Sequence, residues 1–353
     1  MTEDLQLGNR PHSRYARQMR YSPIGETGQL RLGGRSAVIV GMGALGAVIA
    51  QHLVRGGIGR LRMIDRDIVE WSNLHRQLLY MEEDAEQMLP KAEAAYHRLK
   101  AANSLVELEP VVADLAPHNA EQLLTGFDLI LDGTDNFAAR YLINEVSIKH
   151  QIPWIYGGAV GGSGVTASFI PNETPCFRCL FPVPPSAGAV DTCETAGVIS
   201  PIIDIIASMQ AAEALKWLTG NRQAMNATLM QADVWHNQWF GVRTDQSKRS
   251  DCPVCQSRRF DLLEARHQEP CAASLCGRDT VQITPAHAMQ AALPEIARRL
   301  SAAGSIYLTR FLLRLELSNQ GVSFVLFPDG RALVQGTDDP IAAQRLYESL
   351  LGA

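Results

Sequence analysis

The sequence of 353 residues lacks the features that mark membrane, exported or nucleic-acid-binding proteins. Its longest apolar stretch, Val198–Leu218, is interrupted by Asp204, Gln210, Glu213 and Lys216, so it predicts a buried helix rather than a membrane span. Residues 1–20 are polar and contain no apolar core of a secretory signal. The formal net charge is -5 and no Lys/Arg cluster stands out, which leaves no footprint for nucleic acid. We therefore expect a cytoplasmic protein with no membrane or nucleic-acid partner.

Histidine-based catalytic motifs are also missing. None of the nine histidines falls in a recognisable catalytic pattern, and no poised Ser-His or His-Asp pair is present, so each histidine is best interpreted as structural or solvated. The composition is otherwise that of a globular protein, with 46% hydrophobic and 20% charged residues, and the length predicts about two domains.

The first part of the chain alternates between strand and helix patterns. Apolar strands at Ala37–Val40 and Arg60–Asp65 flank a glycine turn and the helix Ala44–Gly56, which is a βαβ unit. Further alternation to about residue 170 predicts an α/β fold, with a doubly wound, Rossmann-like, mostly parallel sheet. The glycine-rich segment Gly157–Gly164 is predicted to be a connection between strands.

Residues 171–200 change character and predict a long, irregular crossover loop, rich in proline. We place one domain at residues 12–256 and a small C-terminal α+β unit, of unknown role and without a catalytic motif, at 260–353. The elements predicted for this unit are strand Thr280–Ile283, helix Ala288–Ala302, strands Tyr307–Leu317, Val322–Phe327 and Ala332–Gln335, and helix Pro340–Leu351.

A nucleotide site is predicted at the glycine turn. Taken alone, Gly41-x-Gly43-x-x-Gly46 is shared by many NAD and FAD proteins, and Asp65 lies where an acid binds ribose hydroxyls. Directly after that acid, however, come Asn73, Arg76 and Gln77, which suit a triphosphate that reacts rather than a dinucleotide that is only held. The pattern therefore favours nucleotidyl transfer over hydride transfer.

Charged residues further along the chain support this interpretation. Arg76 and Lys91 supply cations for a triphosphate, and Asp135, after a fourth apolar strand, is placed to hold Mg²⁺. Each has a simpler alternative: Arg76 as a surface residue, Lys91 as an ordinary first-turn lysine, Asp132 and Asp135 as helix N-caps, and Asn73 as a turn cap. Only their common position at one sheet edge favours a site.

Two cysteine pairs with the same spacing predict a metal site. Cys176-x-x-Cys179 and Cys252-x-x-Cys255 supply the four thiolates of a closed tetrahedral Zn²⁺ centre, which would staple the crossover region. The alternative is two unrelated pairs of buried thiols.

The other cysteines stand apart from those pairs. Cys193 lies in the irregular loop near a helix N-terminus, where its thiolate is favoured. Cys271 and Cys276 have no matching partners and are interpreted as structural or free thiols, with a second metal site left open.

As a set, these motifs resemble the ThiF/MoeB/HesA family, the bacterial relatives of ubiquitin-activating enzymes, over residues 12–256, and most closely its thiazole-synthesis branch. The motifs that carry the resemblance are Arg14-Tyr-Ala-Arg17-Gln18, Gly41-x-Gly-x-x-Gly46, Asp65, Ser72-Asn73-Leu-x-Arg76-Gln77, Pro90-Lys91, Thr134-Asp135-Asn136 and Cys193-x-Thr-Ala-Gly197-Val. The resemblance implies ATP-dependent adenylation of the C-terminal glycine of a ubiquitin-like sulfur carrier of the ThiS type, for thiazole and thiamine biosynthesis, with release of pyrophosphate.

The resemblance also implies roles for individual residues. Arg17 would reach the ATP of the other subunit of a homodimer, and Cys193 would form a thioester or acyl disulfide with the activated carrier. The remaining implied roles are ribose binding by Asp65, phosphate contact by the backbone of Gly41–Gly46, a grip on the triphosphate by Asn73, Arg76, Gln77 and Lys91, and Mg²⁺ binding by Asp135.

Three alternatives stay open at this point. The carrier could be that of molybdopterin synthase, with its own C-terminal Gly-Gly. An NAD- or FAD-dependent oxidoreductase would explain Gly41–Gly46 and Asp65 but would leave Arg76, Lys91 and Asp135 without a role. A non-enzymatic scaffold is disfavoured because every expected phosphate ligand is present. No rhodanese-like pattern follows residue 256, so the sulfur donor is expected to be a separate desulfurase or rhodanese.

Overall fold

The computed structural model describes residues 13–184, 195–265, 271–274, 279–285, 291–317 and 321–352. The chain divides into two compact units, Met1–Ala265 and Arg266–Ala353. The segment after residue 256 belongs to the first unit, because the backbone amides of Leu262 and Leu263 donate to the Glu145 carboxylate at 3.1 and 3.0 Å.

An eight-stranded sheet forms the centre of the first unit, in the order β3-β2-β1-β4-β5-β6-β7-β8. The strands are β1 (Ser36–Val40), β2 (Arg60–Asp65), β3 (Glu107–Val112), β4 (Leu129–Asp132), β5 (Trp154–Val160), β6 (Ser163–Phe169), β7 (Thr228–Asp233) and β8 (Gln238–Arg243). The first five strands in this order pair in parallel, and β6, β7 and β8 continue the sheet antiparallel. The predicted α/β fold with a mostly parallel sheet is confirmed.

Helices cover both faces of this sheet. They are α1 (residues 13–20), α2 (Gly25–Gly33), α3 (Ala44–Gly56), α4 (Glu82–Glu86), α5 (Lys91–Ala102), α6 (Ala120–Leu124), α7 (Phe137–His150), α8 (Phe177–Leu180), α9 (Ser200–Thr219) and α10 (Asp261–Glu264). Alternate residues of β1 enter different cores: Ile39 packs in the layer of α3, α5 and α9, whereas Val38 packs in the layer of α6 and α7. A continuous apolar run is therefore the expected strand pattern here. Within the described residues, no helix is long and apolar enough to span a bilayer.

Most of the glycine-rich segment Gly157–Gly164 belongs to strands β5 and β6, and the connection between them is only Gly161 and Gly162, shorter than predicted. A Cβ on Gly157 would lie 2.2 Å from the Gln210 side chain, and one on Gly164 would lie 2.5 Å from Ile206. These glycines lie within the β5–β6 hairpin because α9 packs closely on the sheet there.

The second unit is an antiparallel sheet in the order β11-β12-β13-β14-β10-β9, with two helices. Its elements are β9 (Cys271–Ser274), β10 (Thr280–Thr284), α11 (Leu293–Leu300), β11 (Gly304–Leu308), β12 (Leu313–Leu317), β13 (Ser323–Leu326), β14 (Ala332–Gln335) and α12 (Pro340–Leu351). The single strand predicted over Tyr307–Leu317 is a hairpin. The Thr309 hydroxyl accepts from the amides of Phe311 and Leu312, both at 3.1 Å, and so reverses the chain. Strand β9 was not predicted.

Candidate nucleotide site

The glycine turn between β1 and α3 packs directly on the turn that follows β4. Gly41 has a φ of +86°, and a Cβ on it would lie 2.7 Å from the carbonyl oxygen of Gly133. A Cβ on Gly46 would lie 1.8 Å from the Gly41 oxygen. Gly43, the N-cap of α3, has no neighbour closer than Gln77 to its missing Cβ, at 3.9 Å. Gly41 and Gly46 are therefore needed for close packing, while Gly43 leaves the end of α3 open to an anion.

Asp65 ends β2 and is held by the glycine turn. Its carboxylate accepts from the backbone amides of Met42 at 2.6 Å and Asp67 at 2.7 Å. Burial raises the pKa of Asp65, and the nearby Lys91 and these two amides act in the opposite direction. Each oxygen has one amide partner and a second lone pair, so the carboxylate is oriented and can still accept from a ribose hydroxyl.

A pairing of two segments that are distant in the sequence brings Lys91 into contact with Asp67. The Lys91 amide donates to the Asp67 oxygen at 2.9 Å, and the Val69 amide donates to Leu89 at 2.8 Å. The Lys91 ammonium lies 3.2 Å from the Asp67 carboxylate, and its side chain is only 4% exposed. The Tyr80 hydroxyl donates to the Met42 carbonyl at 2.5 Å and lies 3.2 Å from that of Lys91. Lys91 is thus not a solvated first-turn lysine.

Two buried side-chain amides in the following loop keep oxygens without partners. Asn73 and Gln77 are 1% and 4% exposed, yet neither the Asn73 Oδ1 nor the Gln77 Oε1 has a hydrogen bond. Arg76 lies between them in the sequence, is partly exposed, and donates to the Ser72 carbonyl at 2.9 Å. A buried acceptor without a partner requires a donor, which water or a ligand N–H or O–H group can supply.

The turn after β4 separates two aspartates that the sequence leaves equivalent. Asp132 is fully buried, accepts from the Thr134 hydroxyl at 2.7 Å and pairs with Arg140 at 3.0 Å. Asn136, not either acid, caps α7, because its side chain accepts from the Ala139 amide. Asp135 is exposed, and its charge acts on Arg140. The N-cap alternative is therefore excluded for both aspartates.

Arg17 lies far from the glycine turn of its own chain. Helix α1 docks at the C-terminal end of α3, where the ring of Tyr15 fills the space beside Gly57 and Gln18 donates to the Gly56 oxygen at 3.0 Å. The glycine turn is at the other end of α3, about 20 Å away for a helix of this length. Arg17 is exposed there and is not brought together with the other predicted residues.

The two cysteine pairs come together in space. The Sγ atoms of Cys176, Cys179, Cys252 and Cys255 all lie within 4.8 Å of one another. The separations are 3.9 Å for 176–179, 3.6 Å for 176–252 and 3.5 Å for 179–255. A tetrahedral zinc centre with bonds of about 2.3 Å requires sulfur separations of about 3.8 Å. The cluster therefore has the dimensions of a zinc site.

Cys193 and Cys276 lie outside the described residues, and Cys271 is described only as backbone of β9.

Comparison with known proteins identifies the family. The ThiF family profile matches residues 15–254. The chain belongs to the ThiF family. It is 41% identical over 340 residues to the sulfur carrier protein ThiS adenylyltransferase of Bacillus subtilis (strain 168), covering 96% of this chain and 99% of that one. It is 40% identical over 247 residues to a sulfur carrier protein adenylyltransferase of Thermus thermophilus, covering 69% and 90%.

Solved structures agree on the fold of this ThiF-family chain. Escherichia coli MccB superposes with a TM-score of 0.61 at 20% identity, covering 71% of this chain and 74% of that one. A structure of MccB with ATP gives 0.60, also at 20% identity, with coverage of 69% and 74%. At this identity the likeness establishes the α/β fold alone.

Proposed function

We propose that this chain adenylates the C-terminal glycine of a ThiS-type sulfur carrier protein, using ATP and releasing pyrophosphate. The observation that carries the proposal is the buried Lys91 ammonium, 3.2 Å from the partly exposed Asp67 carboxylate, in a ThiF-family chain. The side-chain amides of Asn73 and Gln77 in the same stretch are also buried and incompletely hydrogen-bonded. A relative that matches nearly its whole length is named for that reaction. A hydride-transfer site would have no use for these groups.

In this proposal the nucleotide lies across the carboxyl ends of β1, β2 and β4. Asp65 accepts from the ribose hydroxyls, and the amides at the start of α3 contact the phosphates. The amide donors of Asn73 and Gln77 turn toward phosphate oxygens, or their oxygens accept from water around them. Arg76 and Lys91 neutralise the triphosphate, for which Lys91 exchanges its contact with Asp67 for one with phosphate.

The chemistry is a displacement between two anions. The carrier carboxylate attacks the α-phosphorus, the bond to the bridging oxygen breaks, and pyrophosphate leaves with that oxygen. The nucleophile is already ionised at neutral pH, so no general base is required. Asp135 would hold Mg²⁺, which supplies positive charge beside the phosphates; a single carboxylate plus phosphate oxygens is a usual ligand set. The protein cations would therefore promote the reaction by lowering the repulsion between the carrier carboxylate and the phosphates.

Arg17 completes the site from a second copy of the chain. Helix α1 is docked at the end of α3 that lies about 20 Å from the glycine turn. In this proposal Arg17 therefore contacts the phosphates of ATP bound to the other subunit of a homodimer. Mixing Arg17→Ala with Asp135→Ala tests this, because only a mixed dimer combines an intact Asp135 with an intact partner arginine. We expect two inactive variants to regain roughly one quarter of wild-type exchange activity after subunit mixing. No recovery from demonstrably mixed dimers would contradict the role in trans.

Strand β8 is a candidate surface for the carrier. It is the last strand of the sheet, and all six of its residues are exposed, including Trp239, Phe240 and Val242 at 54%, 49% and 54%. Contiguous apolar exposure marks interaction sites, and a sheet edge can extend into a partner. The carrier dock is therefore assigned to β8, with its C-terminal tail reaching the nucleotide.

Cys176, Cys179, Cys252 and Cys255 would hold Zn²⁺. Burial and the neighbouring Cys179 raise the pKa of Cys255 to about 12, because several thiolates so close together repel one another without a cation. A structural zinc would link the start of α8 to the segment after β8, where the local apolar core is small. Cys252→Ser should remove about one zinc per chain and lower the melting temperature, measured by metal analysis and calorimetry. A zinc-free wild-type chain with unchanged melting temperature would contradict the site.

Cys193 is proposed to link covalently to the activated carrier, and a separate desulfurase or rhodanese is proposed as the sulfur donor. For the link, the Cys193 thiolate attacks the acyl adenylate, a thioester forms, and AMP leaves. The alternative product is an acyl disulfide, for which a persulfide from that donor is the co-reactant.

The decisive experiment is ATP–pyrophosphate exchange with purified ThiS-type and molybdopterin carriers ending in Gly-Gly. We expect exchange that depends on the ThiS-type carrier. Phe240→Ser should raise the KM for the carrier and leave the KM for ATP unchanged, which tests the β8 dock separately. Exchange only with the molybdopterin carrier would reassign the pathway. No exchange with either, together with tight NAD binding, would favour the oxidoreductase alternative.

A further inference from the structure

Arg331 in the second unit is a buried arginine whose donors are not used. It begins the segment after the Pro328-Asp329-Gly330 turn, directly before β14, and is 1% exposed. Its guanidinium lies over the Phe327 ring, 4.2 Å from the centroid. Nε and both terminal nitrogens have no hydrogen-bond partner. Stacking on a ring leaves the in-plane N–H groups of the fork without acceptors.

The nearby carboxylate does not satisfy this group. Asp329 Oδ2 lies 3.6 Å from the Arg331 Nε, beyond hydrogen-bond distance, and Oδ1 accepts from the Arg331 amide at 3.1 Å. The side chain of Asp329 is 41% exposed, so solvent weakens its attraction. The buried Arg140 of the first unit shows the contrast: its guanidinium contacts Asp132 at 3.0 Å and two carbonyl oxygens at 2.7 and 3.1 Å.

The backbone around Arg331 is fixed on several sides, so the side chain is not relieved by a simple shift of the turn. The Phe327 amide donates to the Arg331 carbonyl at 2.9 Å, and the Gly330 amide donates to Phe327 at 3.0 Å. The Tyr347 hydroxyl donates to the Gly330 carbonyl at 2.9 Å, and the Ala291 amide donates to Pro328 at 2.8 Å. The fold thus holds a desolvated cation with its donors unpaired.

We propose that Arg331 anchors an oxyanion-binding site in the second unit, which takes the carboxylate or phosphate group of a ligand. Both groups present two oxygens at the spacing of the guanidinium fork and accept two parallel hydrogen bonds. Such a contact supplies the hydrogen-bond acceptors that Asp329, at 3.6 Å from Nε, does not provide. This inference does not depend on the adenylation proposal, because no residue of the first unit takes part.

The test is a titration of the full chain with sodium phosphate, pyrophosphate or acetate, at constant pH and ionic strength. Calorimetric binding and the melting temperature are measured for wild type and Lys91→Met, and for Arg331→Met and Arg310→Met in the Lys91→Met background. Arg310 is the matched control: it stacks on Phe311 at 4.4 Å in the same unit but is exposed. Lys91→Met weakens phosphate binding at the nucleotide site and so separates the two sites.

We expect at least one anion to bind and to raise the melting temperature with the logarithm of its concentration. In the Lys91→Met background, in which the nucleotide site is weakened, adding Arg331→Met should weaken the remaining anion binding at least tenfold, while adding Arg310→Met should change it less than twofold. A phosphate preference over acetate, or the reverse, identifies the ligand group. The proposal is overturned if no anion binds, or if the binding that remains in the Lys91→Met background is unchanged by Arg331→Met.

A second measurement covers the case in which Arg331→Met does not fold. The Nε–H resonance of Arg331 in wild-type protein, assigned with Arg331→Lys, should shift on titration with the bound anion. An unchanged resonance at saturating anion would overturn the proposal.

Discussion

Two turns at the same edge of the first sheet differ in whether their buried polar groups have hydrogen-bond partners within the protein. After β4, the buried Asp132 and Arg140 use their hydrogen-bonding groups within the protein. After β2, the buried Asn73 and Gln77 keep oxygens without partners. The first turn is complete by itself, whereas the second is complete only with a polar ligand.

This difference separates scaffold from site among residues of the same type. Asp132 and Asp135 are three positions apart in the sequence, but Asp132 is fully buried in an ion pair and Asp135 is exposed. A buried charge that is paired serves the fold, because removing its partner leaves an uncompensated charge. An exposed acid beside a phosphate site is available for a cation. Substitutions that break the buried ion pair should therefore change stability, whereas substitutions of the exposed acid should change the rate of the reaction.

The largest effect is expected at the complete turn. Arg140→Met removes the partner of the fully buried Asp132 and should lower the free energy of unfolding by about 3–5 kcal/mol. Denaturant unfolding of the full chain, with the first unit followed by tryptophan fluorescence, measures this. In the double variant Asp132→Leu/Arg140→Met the loss should be smaller, since no charge is left buried. A loss below about 1 kcal/mol in the single variant would remove the distinction between the two turns.

The next effect is on rate rather than stability. Asp135→Ala should lower ATP–pyrophosphate exchange at least about 100-fold, as expected for a lost electrostatic contact in the transition state. Its unfolding free energy should stay within about 0.5 kcal/mol of wild type, because the residue is exposed. Robust exchange in this variant would sink the Mg²⁺ assignment, and a large loss of stability would make Asp135 part of the scaffold instead.

Local patterns predicted the backbone of the site better than its contacts. The β1–α3 unit and the strand ending at Asp65 follow from periodicity and turn residues, which act over a few positions. The contact of Lys91 with Asp67 joins residues 24 positions apart through a pairing that no local pattern encodes. The pair of Asp132 and Arg140 was likewise missed, since an arginine inside a helix gives no sign of burial.

Glycine and threonine caused the errors in strand assignment for a similar reason. Gly157 and Gly164 look like a loop, but they are small because α9 packs on that part of the sheet. Thr309 looks like a strand residue, yet its hydroxyl accepts two amides and closes a turn. At Gly157 and Gly164 a tertiary contact decided the structure, as packing commonly overrides propensity. At Thr309 a local side-chain-to-backbone turn competed with the strand pattern.

The smallest expected effect concerns two equally buried asparagines. Substituting one should weaken ATP binding with little change in stability, and substituting the other should lower stability with little change in ATP binding. Asn73→Ala removes a buried amide whose oxygen has no partner, so we expect little loss of unfolding free energy. Loss of its Nδ2 donor to phosphate should raise the KM for ATP about tenfold, the equivalent of one hydrogen bond. Gln77→Ala should behave in the same way. Asn144 is the control, because it is equally buried and its Oδ1 accepts from the Phe177 amide at 2.9 Å, while its Nδ2 has no partner. Asn144→Ala should cost about 1–3 kcal/mol of stability, since that amide loses its partner, and leave the KM for ATP unchanged. If instead Asn73→Ala destabilised the chain as much as Asn144→Ala and left ATP binding intact, its unpartnered oxygen would not mark a ligand site.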